Sequence, residues 1–511
     1  MDGFRHTLLL SALALLCACG GGGGGGSSTP APTWQAGQFA DAGQFANQCL
    51  RPRTGSQYPD VAGSVLDENN WLRSWSHETY LWYDEIQDRN PANHDESLAY
   101  FDLLKTEAIT ASGAPKDQFH FAMPSGEWNA QSQSGVAVGY GLQWVIIESL
   151  PPRDVRVAYH DQQDRSDLPP RGTRLLSVDG VSMVSSNDID TLNAGLYPGE
   201  NGEQHRLEFE YPGGTRQTLT LSAGTVTSEP VQRVRVLTST GGTQVGYMLF
   251  NDHIATAEGA LRDAVAQLSQ GNGIDDLVLD LRYNGGGYLA LASQLAYMIA
   301  GPERTAGQSF EIARFNDQHP TTNPVTGQPL APTPFYNTTL GFSVPANEPL
   351  PNLNLSRVFV LTGATTCSAS ESIINGLRGI GVEVIQIGNR TCGKPYGFYP
   401  TDNCGTTYFT IQFQGVNAQG FGDYPDGFVP GTDDGQAGVR GCQVADDYDH
   451  DLGDVDEARL SSALHYIDNG YCPPSTSRHT LHRRSLAAPP AVDGRVHKAP
   501  WRENRIMTPT R

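Results

Sequence analysis

The chain predicts a multidomain α+β protein: a small helical N-terminal segment, a β-rich middle, and a larger α/β core of βαβ units. Three observations carry that expectation. Large apolar groups recur at helical intervals within 66–130, as in Asn70-Trp71-Leu72 through Tyr80-Leu81-Trp82 and again over Ser97–Thr106. Short β-type runs broken by glycine turns fill 134–224. From 228 to 472, short apolar strands alternate with helices, the pattern of a mainly parallel sheet.

The core elements read in order. Val245–Phe250 is a strand, Ala257–Gln267 an amphipathic helix, and Leu277–Leu281 a buried strand. A glycine turn leads into the apolar helix Tyr288–Ala300, and a proline-rich insertion spans Phe315–Leu353. Strand Val358–Leu361, helix Ala369–Leu377 and strand Val382–Ile387 follow. In such sheets sites collect at the carboxyl ends of the strands.

The two ends read differently from the body. Thr7–Leu16 is too short to span a bilayer, which takes about 20 residues as a helix, and reads as the core of a signal segment, 1–19. Leu16-Cys17-Ala18-Cys19 resembles a bacterial lipobox, which makes Cys19 the expected lipidation site, with ordinary signal cleavage nearby as the alternative. Gly20–Gly26 opens a flexible tether, 20–65. Gly20 after the cysteine, by resemblance to lipoprotein sorting, leans towards a periplasm-facing outer-membrane lipoprotein in the cell envelope. The tail, 473–511, holds eight basic and two acidic residues and reads as disordered. The whole chain carries a formal charge of -21, so the remainder sits at -27. A body that acidic repels phosphate backbones, which excludes nucleic acid as an expected partner.

Beyond the signal and Cys19, six cysteines remain: Cys49, Cys367, Cys392, Cys404, Cys442 and Cys472. An even number in an exported chain points to disulfides. Cys442 with Cys472 is the favoured pair, because it would clamp the C-terminal segment. No cysteine or histidine spacing suggests zinc, and no cofactor is implied. Asp446-Asp447-Tyr448-Asp449-His450-Asp451 resembles a calcium loop, but the EF-hand glycine would fall on Leu452 and the bidentate acid on Ala458. These acids read instead as a solvated, capping segment before the helix Glu457–Ile467.

Three motifs carry chemistry. Cys367-Ser368-Ala369-Ser370-Glu371 begins a helix after a strand, where unpaired amides stabilise developing negative charge. It is also an S-x-x-E capping box, so Ser368 and Glu371 could simply satisfy backbone donors. Thr391-Cys392-Gly393-Lys394 follows the next strand, and Lys394 is one of only four lysines (with Lys105, Lys116 and Lys498). A lysine acting as general base must be neutral, which takes burial and no carboxylate partner. A solvated loop lysine is the plainer alternative. Asp280-Leu281-Arg282-Tyr283-Asn284-Gly285-Gly286-Gly287 ends another strand, and its glycines can turn backbone N–H groups towards an oxyanion. The loop lacks G-K-[ST] and GxGxxG, which sets nucleotide binding aside.

In this order the three motifs resemble the C-terminal processing (tail-specific) serine peptidases, over about residues 67–472. Val136–Leu142 and Leu175-Leu176-Ser177-Val178-Asp179-Gly180 resemble two hallmarks of a PDZ domain. The resemblance implies a PDZ-like domain over 134–224 and a crotonase/ClpP-like peptidase core over 228–472. It implies Ser368 as nucleophile, with Ser370 as fallback, and Lys394 as base. Ala369 N–H and a glycine of the triple, best matched by Gly286, would form the oxyanion hole. Gly139, Tyr140, Gly141 and Leu142 would hold a peptide's terminal carboxylate, since a glycine turn can aim several amides at one anion. The expected function is a Ser/Lys endopeptidase acting on protein or peptide tails. The alternatives are a non-catalytic peptide-binding lipoprotein and a hydrolase of non-peptide esters or amides. Two positions depart from the family: Phe398 stands where many members have a lysine-orienting glutamine, and Gly379 where an acid is common. Gln412 is the candidate replacement for the glutamine.

Overall fold

The computed structural model describes residues 34–163 and 165–474, together with the backbone of the short strand Arg505–Ile506. The signal segment with Cys19, the glycine run and most of the basic tail lie outside the described residues. Among the described residues no helix is long and apolar enough to cross a membrane.

The stretch read as tether is packed at its C-terminal end. Phe45 is buried, and Cys49 is bridged to Cys404. An aromatic residue and a cross-linked cysteine give this segment what the glycines before it lack. α1 (Val65–Thr79) starts at a reciprocal capping box of Ser64 and Asp67, and buries Trp71, Leu72 and Trp75 against Tyr100, Phe101 and Tyr408. It stops before the expected Tyr80–Trp82 turn, because Tyr80 leaves the helix to donate its hydroxyl to Asp117 at 2.7 Å. The second expected helix is also shorter, Ser97–Phe101. α2 (Ser125–Ser134) ends on Gly135, whose φ of 65° suits the left-handed cap.

The middle is a six-stranded antiparallel sheet. Its main strands are β1 (Leu142–Glu148), β2 (Asp154–His160), β3 (Arg174–Val178), β4 (Gln204–Glu210) and β5 (Arg216–Ser222). Their order is β5-β4-β3-β2-β1, with Val181–Ser182 turning back on β3, so β1 lies at an edge. α3 (Ile189–Leu196) packs Leu192 and Leu196 on the same core as Val157, Leu175 and Phe209.

The core is a seven-stranded sheet. In chain order its strands are β6 (Val231–Thr238), β7 (Gln244–Phe250), β8 (Asp276–Asp280), β9 (Arg357–Thr362), β10 (Glu383–Gly388), β11 (Val429–Gly431) and β12 (Gly438–Gln443). The spatial order is β6-β7-β8-β9-β10-β12-β11; only β6 pairs antiparallel. Both faces are covered, as parallel sheets require. Val358 and Val360 join α4 (Ala257–Leu268), α5 (Leu289–Ala300) and α6 (Ala369–Gly379), while Phe359 and Leu361 join α7 (Ala458–Asn469) on the other face. This two-sided burial is why the strands read as unbroken apolar runs.

Candidate active site

Three loops leave the carboxyl ends of adjacent strands β8, β9 and β10, and these are the three motif loops. They are bonded to one another. Cys367 N–H donates to Asn284 O at 3.0 Å, and Cys392 N–H to Thr366 O at 3.0 Å. Thr366 Oγ1 donates to Leu281 O at 2.7 Å. A disulfide joins Cys367 to Cys392, the residues just before Ser368 and two before Lys394. The expected Cys442–Cys472 bridge is also present.

Glu371 binds the serine turn to the lysine turn. It lies on the first turn of α6, and its carboxylate accepts the N–H groups of Ser368 (2.9 Å), Gly393 (2.8 Å) and Lys394 (2.8 Å) and the Thr391 hydroxyl (2.5 Å). Burial pushes the Glu371 carboxyl above the usual carboxylate range, against the pull of these donors. The capping-box reading was therefore correct but incomplete: Ser368 and Glu371 form the box, and the same acid reaches the next loop. Gly393 permits the approach, because at φ 88° a Cβ there would lie 2.3 Å from Pro425 O. Ser368 itself takes φ 59° and ψ -112°, a strained backbone for a non-glycine residue of the kind that concentrates at functional sites.

Ser370 has a different environment. Its hydroxyl donates to Asn284 O at 3.1 Å, so it braces α6 against the glycine loop. Asn284 is the hub of that loop. Its Nδ2 donates to Phe250 O, while its Oδ1 accepts Gly286 N–H at 2.9 Å and faces His253 Nδ1 at 3.0 Å, which must therefore donate. His253 also brackets the glycines through its backbone: its N–H donates to Gly286 O, and its O accepts Tyr288 N–H. Burial holds this imidazole neutral by lowering its pKa to about 3. Gly286 N–H is thus engaged by a side chain, whereas Ala369 is the first residue of α6, a position whose N–H has no intrahelical acceptor. Beside the loop, the backbone of Gly287–Tyr288 pairs in parallel with Arg505–Ile506.

Lys394 is fully buried, not the solvated loop lysine of the alternative reading. Its Nζ lies 4.4 Å from the centre of the Phe119 ring and 4.6 Å from that of Phe398. Gln412 is also buried, and its Oε1 accepts Tyr399 N–H at 2.8 Å. Gly379 leaves no room for an acid, since a Cβ there would meet the Asn417 side chain at 2.8 Å. Phe119 and His253 have no local signal in the sequence; each joins the site through contacts distant along the chain.

Gly139, Tyr140, Gly141 and Leu142 line a cleft of about 540 Å³ between edge strand β1 and the end of α3, with Trp144, Leu196 and Tyr197. Among the described residues, the one group with metal-ligand spacing is Cys367, Glu371 and Cys392. Its cysteines are joined as a disulfide and its carboxylate is taken by the four donors above, so it does not fit an ion.

The acidic run after β12 departs from the sequence reading. Asp447 and Glu457 do cap α7, accepting Ala458 and Leu460 N–H. Asp446 is not solvated. It lies within 2.9 Å of Arg171 and 2.8 Å of Arg282, and accepts the Tyr283 hydroxyl. Arg282 is fully buried and also pairs with Asp280 and Glu457. Hydrophilicity along the chain reads as exposure, but these acids are matched by arginines distant in sequence.

Residues 244–400 match Peptidase family S41. The chain is 26% identical over 279 residues to a carboxyl-terminal-processing protease of Picosynechococcus sp., covering 52% of this chain and 56% of that relative. It therefore spans about half the length of the curated relative it matches. A solved Bacteroides fragilis NCTC 9343 protein named as an S41 protease superposes with a TM-score of 0.56 at 21% identity, over 82% of this chain and all of that one. The photosystem II D1 C-terminal processing protease aligns at 18% identity and a TM-score of 0.46, over 79% of this chain and 99% of that one. Residues 244–400, which carry these three loops, thus form a peptidase S41 domain, in a chain similar over about half its length to a carboxyl-terminal-processing protease.

Proposed function

We propose that the chain is a serine endopeptidase in which Ser368 and Lys394 form a catalytic dyad. The observation that carries the reading is the shared Glu371 carboxylate, which holds the serine and lysine turns together at the ends of β9 and β10. Lys394 Nζ takes the Ser368 Oγ proton as Oγ bonds to the scissile carbonyl carbon. The oxyanion is met by Ala369 N–H and by a glycine N–H of the triple, with Gly286 exchanging its Asn284 acceptor for the substrate oxygen. The ammonium then protonates the leaving amine as the C–N bond breaks. Water, deprotonated by the same amine, cleaves the acyl ester, and the serine regains its proton. Ser370 is the poorer nucleophile because its hydroxyl is committed to Asn284.

The β-rich sheet supports a PDZ-like reading. An exposed strand edge beside a glycine turn and an apolar cleft suits an extended C-terminal tail, with Gly139–Leu142 at the carboxylate. Strand pairing at Gly287–Tyr288 supports peptide addition beside the oxyanion loop. Protein or peptide tails are the substrates in this reading. Anchoring through Cys19 at the envelope belongs to it as well, and is tested by mass spectrometry of the membrane-extracted N-terminus.

The deciding experiment incubates the purified protein with an unfolded protein substrate, beside Ser368→Ala, Ser370→Ala and Lys394→Ala. Cleavage lost in the first and third but kept in the second is expected. Cleavage that survives Ser368→Ala overturns the nucleophile. An inactive wild type that still binds tail peptides makes the chain a binding protein, the reading favoured by Phe398.

A further inference from the structure

We propose that Phe119 and Phe398 are positioning residues that clamp Lys394 between two aromatic faces and stabilise the ammonium formed when it deprotonates Ser368. The proposal rests on the dyad reading above. Both ring centres lie within 4.6 Å of Nζ, inside the range over which a ring quadrupole attracts a cation. Both rings are buried, where water competes least for the charge.

Each ring is held from behind. Phe398 packs edge-on to Phe409, with centres 5.2 Å apart, and to Phe121 at 6.4 Å. Phe119 donates its backbone N–H to Asp117 at 2.9 Å, and Asp117 in turn accepts the Tyr80 hydroxyl. One wall of the clamp thus comes from the N-terminal segment and the other from the lysine's own loop.

This arrangement answers the missing glutamine. Phe398 occupies that position, and Gln412 Oε1 accepts Tyr399 N–H. A glutamine orients an amine by a hydrogen bond. An aromatic face has little hold on a neutral amine and a strong one on an ammonium, so its pull grows as the proton moves from Oγ to Nζ. An interaction that strengthens in the transition state accelerates the step, rather than merely tightening the resting site.

The test is phosphonylation of Ser368 by a fluorophosphonate, which needs the activated serine but no identified substrate. Rates are taken from about pH 5 to about pH 11, across the amine titration. The proteins are wild type, Phe398→Met, Phe119→Met and a variant with trifluorophenylalanine at 398, with Ser368→Ala and Lys394→Ala as controls. Methionine keeps volume without a quadrupole, and fluorination keeps shape while weakening the ring's negative face. Each methionine variant is expected to lower the plateau rate about tenfold. The midpoint of the acid limb should move to lower pH, because loss of the ring disfavours the ammonium. The fluorinated protein should shift both in the same direction by less. Unchanged rates and midpoint overturn the clamp, and so does a slower rate with an unmoved midpoint, which assigns the rings to packing alone. Wild type that is not labelled, or labelling undiminished in Lys394→Ala, overturns the dyad and the clamp with it.

Discussion

Ser368 and Lys394 donate their backbone N–H groups to the same carboxylate oxygen, Glu371 Oε2, at 2.9 and 2.8 Å. The other oxygen of that carboxylate takes Gly393 N–H and the Thr391 hydroxyl. Glu371→Ala would strand these donors in a fully buried place, each at about 1–3 kcal/mol if left unmet. A loss of roughly 3–5 kcal/mol is expected by urea unfolding. Cleavage should fall at least about a hundredfold, because the two turns lose their common anchor. Glu371→Gln keeps one acceptor oxygen and should lie between. An alanine variant as stable and active as wild type would remove Glu371 from this role.

Two disulfides form a controlled comparison. Cys367–Cys392 and Cys442–Cys472 span similar separations, 25 and 30 residues, so each should stabilise the chain by about 3 kcal/mol through loop closure. Only the first touches the serine and lysine turns. Paired serine replacements at either bridge should therefore cost similar stability by urea titration. Cleavage, measured well below each variant's melting temperature, should fall sharply only for the Cys367/Cys392 pair. Equal losses of activity would show that this bridge contributes stability alone.

The parallel core was the legible part. Expected strand Val245–Phe250 is Gln244–Phe250, and expected helix Ala369–Leu377 is Ala369–Gly379. Strands buried on two faces leave long apolar runs, and glycines mark the turns between them. Ser368, Lys394 and the glycine triple were legible because each sits in a local motif. What faces them was not. Phe119 meets Lys394 across most of the chain, and Asp446 meets Arg282 and Arg171 across 164 and 275 residues. Such contacts leave no periodicity, so the acidic run read as solvated and the phenylalanine carried no local signal.

That acidic run yields a prediction at Arg282. Burial alone would lower the pKa of its guanidinium, but Asp280, Glu457 and Asp446 more than reverse this, and the group is held well above its ordinary value. Arg282→Met would leave three carboxylates facing each other, two of them fully buried. Removing one partner from a buried ion cluster costs about 3–5 kcal/mol, enough to unfold a marginal domain. The variant is expected to be insoluble or to melt far below wild type in calorimetry. The surface pair Arg440–Glu383 is the contrast: Arg440→Met should change stability by about 1 kcal/mol or less. Similar effects at both positions would contradict the buried-cluster account.

Two buried histidines set the acid limit. Burial lowers His120 to about 4 and His253 to about 3, against 6.5 for the ordinary group. Because the folded values are depressed, the unfolded chain binds more protons as pH falls below about 6.5, and stability declines with it. The contribution is fully present above that pH and is lost progressively down to about 4 for His120 and about 3 for His253. By pH 5 the two together should cost on the order of 4 kcal/mol. Urea midpoints from about pH 7.5 to pH 4 should fall accordingly. His253→Gln can still donate to Asn284 but cannot titrate, so its curve should be flatter over the same range. A wild-type midpoint that stays level down to pH 5, or a variant curve as steep as wild type, would show that His253 does not set this limit.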